Sequence, residues 1–279
     1  MGFDTLVDVT ELESNLTAVA NSIRAKTGQS EVLAFPNGMV SAVSSIKAAP
    51  WWLDKMVNAP YLFQEVTLPE KCEFDFSFLP VSESTQVNMT NLFSKAKGIK
   101  EITVTFPPSK KICIGQMFNG VTTVEKVVFK GDFDVAQNAG GGILGGLGTF
   151  ALCTNLKTIE STATFGGKEF LRKEATAYNA FYNCAKLVDV RFTPNSATQN
   201  WVFKWSPNLS DATLVSAANA LTVGSYTLTL HATAYARCAQ IKGRVDTSVE
   251  GGSFIADENG DITLETYITT NKGWSLANA

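Results

Sequence analysis

Two stretches decide the fold: FALCTNLKTIES, residues 150–161, and FYNCAKLVDVRF, residues 181–192. Each opens on a phenylalanine followed by small or aliphatic residues at +3, +6 and +9. These are Cys153, Leu156 and Ile159 after Phe150, and Cys184, Leu187 and Val190 after Phe181. Working upstream, Phe118 carries Val121, Val124, Val127 and, at +11, Phe129; Phe93 carries Ala96, Ile99, Ile102 and Val104. With Ser161 and Phe192 completing the +11 slots, nineteen of the twenty positions are apolar, Ala or Cys, and only Ser161 departs. Four matches in succession mark an internal repeat.

The offsets have a physical reading. Steps of +3 and +6 suit a tight helical or 3₁₀ turn with one inward face, and the +9/+11 pair has the period of a strand with one face buried. Each unit is therefore turn–strand, and stacking the units makes a continuous core. Anchors at 93, 118, 150 and 181 are separated by 25, 32 and 31 residues, so loops of unequal length leave the stack. One such insertion holds G-x-G-x-x-G at 140–145. No βαβ helix follows it, so it reads as a glycine-rich surface loop rather than a dinucleotide site.

Composition bounds the rest. The chain has 279 residues, 45% hydrophobic and 18% charged, with a net charge of −3. It buries a real core, and no strong field recruits nucleic acid. No apolar run is long enough to span a membrane, and the N-terminus has no secretory signal pattern. The five cysteines (Cys72, Cys113, Cys153, Cys184, Cys238) include no CxxC pair. They read as reduced core thiols, with a Cys153–Cys184 disulfide the alternative. The single histidine, His231, lacks an activating neighbourhood and reads as structural. Asp257, Asn259 and Asp261 have the spacing that opens a calcium loop, but Ile262 and Ile268 stand where that loop needs Gly and Glu. Asn259-Gly260 instead predicts a hairpin turn. No metal site and no cofactor is expected.

Flanking elements frame the repeats. Residues 10–28 read as an amphipathic helix with Leu12, Leu16, Val19 and Ile23 on one face, and 39–47 as a second short helix. The 3/4 spacing is also a coiled-coil seam, so a homo-oligomer through this helix stands beside packing within the chain. Residues 61–80 alternate as a strand with Cys72, Phe74, Phe76 and Phe78 on one face, a degenerate first repeat or a cap. Residues 210–222 predict a helix capped by Ser210, and 226–231 a strand. The expected domains are a helical N-terminal module at 1–49, the repeat stack at 50–208 and a C-terminal cap of helix and strands at 209–279.

The two quoted stretches resemble BspA-type leucine-rich repeats of gut bacteria and their prophages. The resemblance implies an α/β repeat solenoid with a small helical N-terminal module and a β-rich C-terminal cap. Its flanks, Glu11 to Ile46 and Leu209 to Ala277, resemble regions of Firmicutes phage structural proteins. The resemblance implies a non-enzymatic phage-type virion or receptor-binding component, virion-associated; the alternative is a cell-surface adhesin binding a host protein or glycan. Independently of the resemblance, inward +9 and +11 positions turn +8, +10 and +12 outward, a face that either binds a ligand or is a solvated sheet surface. There the +8 row is Glu101, Lys126, Thr158 and Asp189, the +10 row Thr103, Val128, Glu160 and Arg191, and the +12 row Thr105, Lys130, Thr162 and Thr193. From these the candidate binding residues are Glu101, Thr103, Lys126, Val128, Glu160, Asp189 and Arg191. Trp201 and Trp205, just past the last repeat, offer either a sugar-stacking surface or a buried cap.

Overall fold

The computed structural model describes residues 21, 60–79, 81–109, 111–131, 146–161 and 179–279. Apart from Asn21, which is helical, the expected helix at 10–28 and the 1–49 module lie outside the described residues, as do the expected helix at 39–47 and the glycine motif at 140–145. The chain divides into two compact units, residues 1–55 with 78–80, and residues 56–77 with 81–279; every element named below belongs to the second. The expected junction at 208/209 falls inside that unit.

Five strands form one parallel sheet in chain order: β1 (Lys71–Asp75), β3 (Glu101–Thr105), β5 (Lys126–Lys130), β6 (Thr158–Ser161) and β7 (Asp189–Val190). Two short strands, β2 (Val87–Asn88) and β4 (Ile112–Cys113), pair separately and in parallel. The sheet register matches the repeat offsets. Ile102, Val127, Ile159 and Val190 are Cα partners in succession, and all are buried.

Beside the sheet, the anchor phenylalanines stack. Phe63, Phe93, Phe118, Phe150, Phe181 and Phe203 follow one another at ring-centroid distances of 5.4, 5.3, 5.6, 5.8 and 5.7 Å, with interplanar angles of 17° or less. The column extends past the four anchors read from sequence by one ring at each end.

The turns that carry these rings are not helical. Residues two before and two after the phenylalanine adopt left-handed backbone: Asn91 and Lys95 (φ 57° and 56°), Gln116 and Gly120 (53° and 71°), Gly148 and Leu152 (61° and 64°). A helical turn would direct its N–H groups back along its own chain. Here the left-handed residues turn alternate N–H groups toward the neighbouring repeat, while those between them donate back three residues along their own chain: Phe93 N–H donates to Met117 O at 2.9 Å, and Phe118 N–H to Thr149 O at 2.8 Å. The turns thus form a second hydrogen-bonded ladder, parallel to the sheet.

The stack is closed beyond β7 by helix α1 (Asp211–Ala220), N-capped by Ser210 as its sequence predicts. Thr213 Oγ1 accepts Val190 N–H at 3.1 Å and Ser216 Oγ accepts Phe192 N–H at 2.9 Å, while Ser210 N–H donates to Val188 O at 2.9 Å. Residues 210, 213 and 216 share one helix face, so their polar groups replace a sixth strand and hide the edge.

Two three-stranded sheets complete the unit. In one, β9 (Thr227–Leu230) lies between β8 (Trp201–Phe203) and β13 (Ser275–Asn278), all parallel. In the other, β10 (Lys242–Asp246) lies between β11 (Ser253–Ala256) and β12 (Ile262–Thr263), both antiparallel to it. Helix α2 (Ala232–Cys238) follows β9, and the short α3 (Leu264–Thr266) follows β12. The Asn259-Gly260 turn therefore does not close a hairpin, because β11 and β12 flank β10 on opposite sides. The chain crosses the end of β10 at Gly260, where a Cβ would come within 2.2 Å of the Gly243 carbonyl oxygen. Glycine is needed there for close approach.

Candidate binding face

The register fixes the outward rows. Glu101, Lys126, Thr158 and Asp189 are successive Cα partners, and β1 adds Lys71 beside Glu101. The next row runs Glu73, Thr103, Val128, Glu160, and the third begins Asp75, Thr105, Lys130. Strand spacing puts these side chains about 4.8 Å apart along each row.

Four of the charges on this face are ion-paired. Lys71 meets Glu101 at 3.2 Å, and Lys126 meets Glu160 at 2.7 Å across two rows. The hydrogen bond from Lys126 to Glu160 raises the lysine pKa above its ordinary value. Immediately before the strands lies a row that the offset reading did not include: Glu70, Lys100, Glu125 and Lys157. Glu70 and Lys100 pair at 2.7 Å, Glu125 and Lys157 at 2.6 Å. The hydrogen bond from Lys157, and then its charge, lower the Glu125 pKa; the Glu70 hydrogen bond raises that of Lys100. These exposed pairs are individually weak and screened by salt, but their signs alternate from strand to strand in both rows.

The seven candidate residues therefore differ in availability. Glu160 and Arg191 are exposed, and Glu101, Lys126 and Val128 are partly so. Thr103 is only 9% exposed, crowded between neighbouring strands in the middle of the sheet. Asp189 accepts the Ser210 hydroxyl at 2.6 Å and so helps to cap α1. Arg191 lies one residue past the short β7 rather than within it. Taking Phe63 as a further anchor finds the first rung, since Cys72 and Phe74 fall at its +9 and +11 positions. Pro69 in its +6 slot hides the match.

Searches against protein-family profiles, curated proteins and solved structures give no match.

The remaining sequence candidates have structural employment. His231 caps α2, its Nδ1 accepting Thr233 N–H at 3.2 Å. Asp257 Oδ1 accepts Asn259 N–H at 3.0 Å within the turn. Trp201 is fully buried against Phe192 and Phe203. Trp205 is half-buried, edge-on to Tyr182 at 4.8 Å, with Lys204 Nζ 4.8 Å from its ring centroid. All five cysteines are free thiols. Cys153 and Cys184 each donate to the phenylalanine carbonyl of the preceding repeat, Phe118 O and Phe150 O, at 3.0 Å. An open groove of about 490 Å³, not foreseen from sequence, lies between α1, α2 and the ends of β10 and β11. Asp211, Arg237, Lys242, Asp257 and Glu258 give it a mixed-sign lining, and Arg237 is engaged with Asp211 and the Leu209 carbonyl. Among the described residues no helix is long and apolar enough to cross a membrane, and no group of three or more His, Cys, Asp or Glu is placed to hold a metal ion.

Proposed function

We propose that the repeats form a BspA-like leucine-rich-repeat solenoid whose outward strand face binds a protein or glycan. On this reading the chain serves, without catalysis, as a phage-type virion or receptor-binding component. The observation that carries this reading is the in-register outward ladder: successive strands present aligned side chains at a fixed lateral spacing on a rigid stack. Such a face suits a partner with its own repeating or extended surface, and stacked-repeat proteins commonly bind through theirs. Mixed sign on the face selects against a simple polyanion. Glu160, Arg191, Glu101, Lys126 and Val128 are the members with side chains accessible to such a partner. Two measurements test the proposal. Density-gradient-purified particles from an induced lysogen encoding the chain should contain it; recovery wholly in the soluble fraction overturns the virion role. The recombinant chain should adhere to cells of the particle's host, and joint replacement of Glu160 and Arg191 by Ala should weaken adhesion while leaving the melting temperature unchanged. Undiminished adhesion moves the binding site off this face.

A further inference from the structure

The two edges of the five-stranded sheet are finished differently. Beyond β7, hydroxyls and the backbone of α1 take up the strand's polar groups. Beyond β1, no strand, helix or side chain among the described residues does so. The end bonds fix which groups are left open. Glu101 N–H donates to Glu70 O and Phe76 N–H to Thr105 O, so even-numbered residues of β1 face β3. The N–H and C=O of Lys71, Glu73 and Asp75 therefore point away from the sheet. The same end is apolar: Tyr61, Leu62 and Val66 are 54%, 51% and 41% exposed. Phe63, Cys72 and Phe74 are half-buried, whereas Phe93, Ile102 and Val104 in the next repeat are fully buried. An open, alternating edge of this kind is a template for another strand.

We propose that β1 is the edge through which two copies of this chain pair, antiparallel, about a two-fold axis at Cys72. The charges of the edge choose both the partner and the register. In an antiparallel pair only the outward-pointing odd residues can exchange both backbone hydrogen bonds. Centring the axis on Glu73 sets two glutamates against each other on the axis. Centring it on Lys71 does the same with lysines, and centring it on Phe74 sets Glu73 against Asp75. Centring it on Cys72 places Lys71 of each copy opposite Glu73 of the other, with no like-charged pair directly opposed. Glu73 has no ion-pair partner within the described residues; Lys71 meets Glu101 at 3.2 Å, but its side chain is 72% exposed, so the same ammonium can also reach a carboxylate across the edge. At the axis, Cys72 would face its counterpart as a non-hydrogen-bonded pair. The Cα separation typical there, about 4.5 Å, lies within disulfide range. The paired sheet would run ten strands wide, with one continuous outward face.

The test uses the full chain. Light scattering after size exclusion should show a concentration-dependent dimer. Diamide should take one hydrogen from each of the two facing thiols, becoming the hydrazine and leaving a Cys72–Cys72 bond visible on a non-reducing gel. Cys72→Ser should lose the covalent dimer and keep the non-covalent one. Glu73→Lys should raise the dimer Kd at least about tenfold, and the swap Lys71→Glu with Glu73→Lys should restore it. Both side chains are exposed, and circular dichroism checks that each variant folds. A chain that stays monomeric overturns the proposal. So does a dimer indifferent to Glu73→Lys, or one whose cross-link does not map to Cys72.

Discussion

Truncating one ring of the phenylalanine column tests whether that column is the core. Phe150 is the ring to remove. It is fully buried, with Phe118 at 5.6 Å and 3° on one side, Phe181 at 5.8 Å and 4° on the other, and Phe129 tilted at 6.0 Å. Burying a phenylalanine removes about 150–250 Å² from water, and truncation to alanine in a core costs about 3–5 kcal/mol. The upper half of that range applies, because the gap cannot close. Phe150 N–H is bonded to Ala180 O at 3.0 Å and Phe118 N–H to Thr149 O at 2.8 Å, so the backbone ladder holds the flanking rings apart. We therefore expect Phe150→Ala to cost about 4–5 kcal/mol, and Phe63→Ala, half-buried at the open end with one column neighbour, about 2 kcal/mol. Guanidinium unfolding of both variants, with Phe150→Leu in case the alanine variant does not fold, gives the comparison. Phe150→Leu should cost about 1–2 kcal/mol. A Phe63→Ala loss equal to or larger than that of Phe150→Ala would falsify the assignment of the column as the stack's core.

Three further outcomes follow from the same contacts. Thr213→Val keeps the shape of the α1 seal but leaves Val190 N–H without an acceptor. It should cost about 1–3 kcal/mol and speed amide exchange at Val190; unchanged exchange would show that the hydroxyl does not seal the edge. Lys272 is fully buried with only neutral acceptors, Asn195 Oδ1 at 3.0 Å and Gly252 O at 3.3 Å, and burial lowers its pKa from 10.5. The unfolded chain therefore holds this proton more tightly. Lys272's contribution to stability should rise with pH in the window just below 10.5 and be flat well under it, so wild type should gain on Lys272→Met across that window; parallel pH curves refute this. Thiol titration of the native chain should show one fast group, the half-buried Cys72. Cys113, Cys153, Cys184 and Cys238 are buried, with burial pushing the Cys113 thiol up to about 11 and that of Cys238 up to about 12. More than one fast thiol would contradict that burial.

The repeat register was legible because side-chain periodicity reports directly on which positions face inward. The turn conformation was not. Only Gly120 and Gly148 advertise the left-handed positions, while Asn91, Lys95, Gln116 and Leu152 occupy equivalent places without a glycine. Both ends of the stack escaped for different reasons. Pro69 masks the repeat that begins at Phe63, and after Phe203 the slot where a strand would follow is taken by α1. Its capping serine announced a helix but not what the helix covers. The strand order of the C-terminal sheets depends on pairings between segments far apart in sequence, such as Leu276 with Leu228, and no local pattern encodes those. The outward face was readable row by row, yet the two ion pairs that flank it, Glu70–Lys100 and Glu125–Lys157, lie in a row that the offsets did not mark.

That row shows how a chain with few charges uses them to fix its own alignment. Consecutive Glu-Lys or Lys-Glu dipeptides begin β1, β3 and β5: Glu70-Lys71, Lys100-Glu101 and Glu125-Lys126. In the observed register each charge lies beside its opposite on the next strand. Sliding β3 one residue along β1 would set Lys71 against Lys100 in one direction, or Glu70 against Glu101 in the other. Sliding β5 along β3 would set Lys100 against Lys126, or Glu101 against Glu125. The same one-residue slip would turn Ile102, Val104, Val127 and Phe129 out of the core. Apolar alternation and charge alternation therefore reject the same errors by independent means. Each ion pair contributes little on its own, since all are exposed and screened. Their joint effect is on the misaligned states, where like charges would meet between β1 and β3 and between β3 and β5.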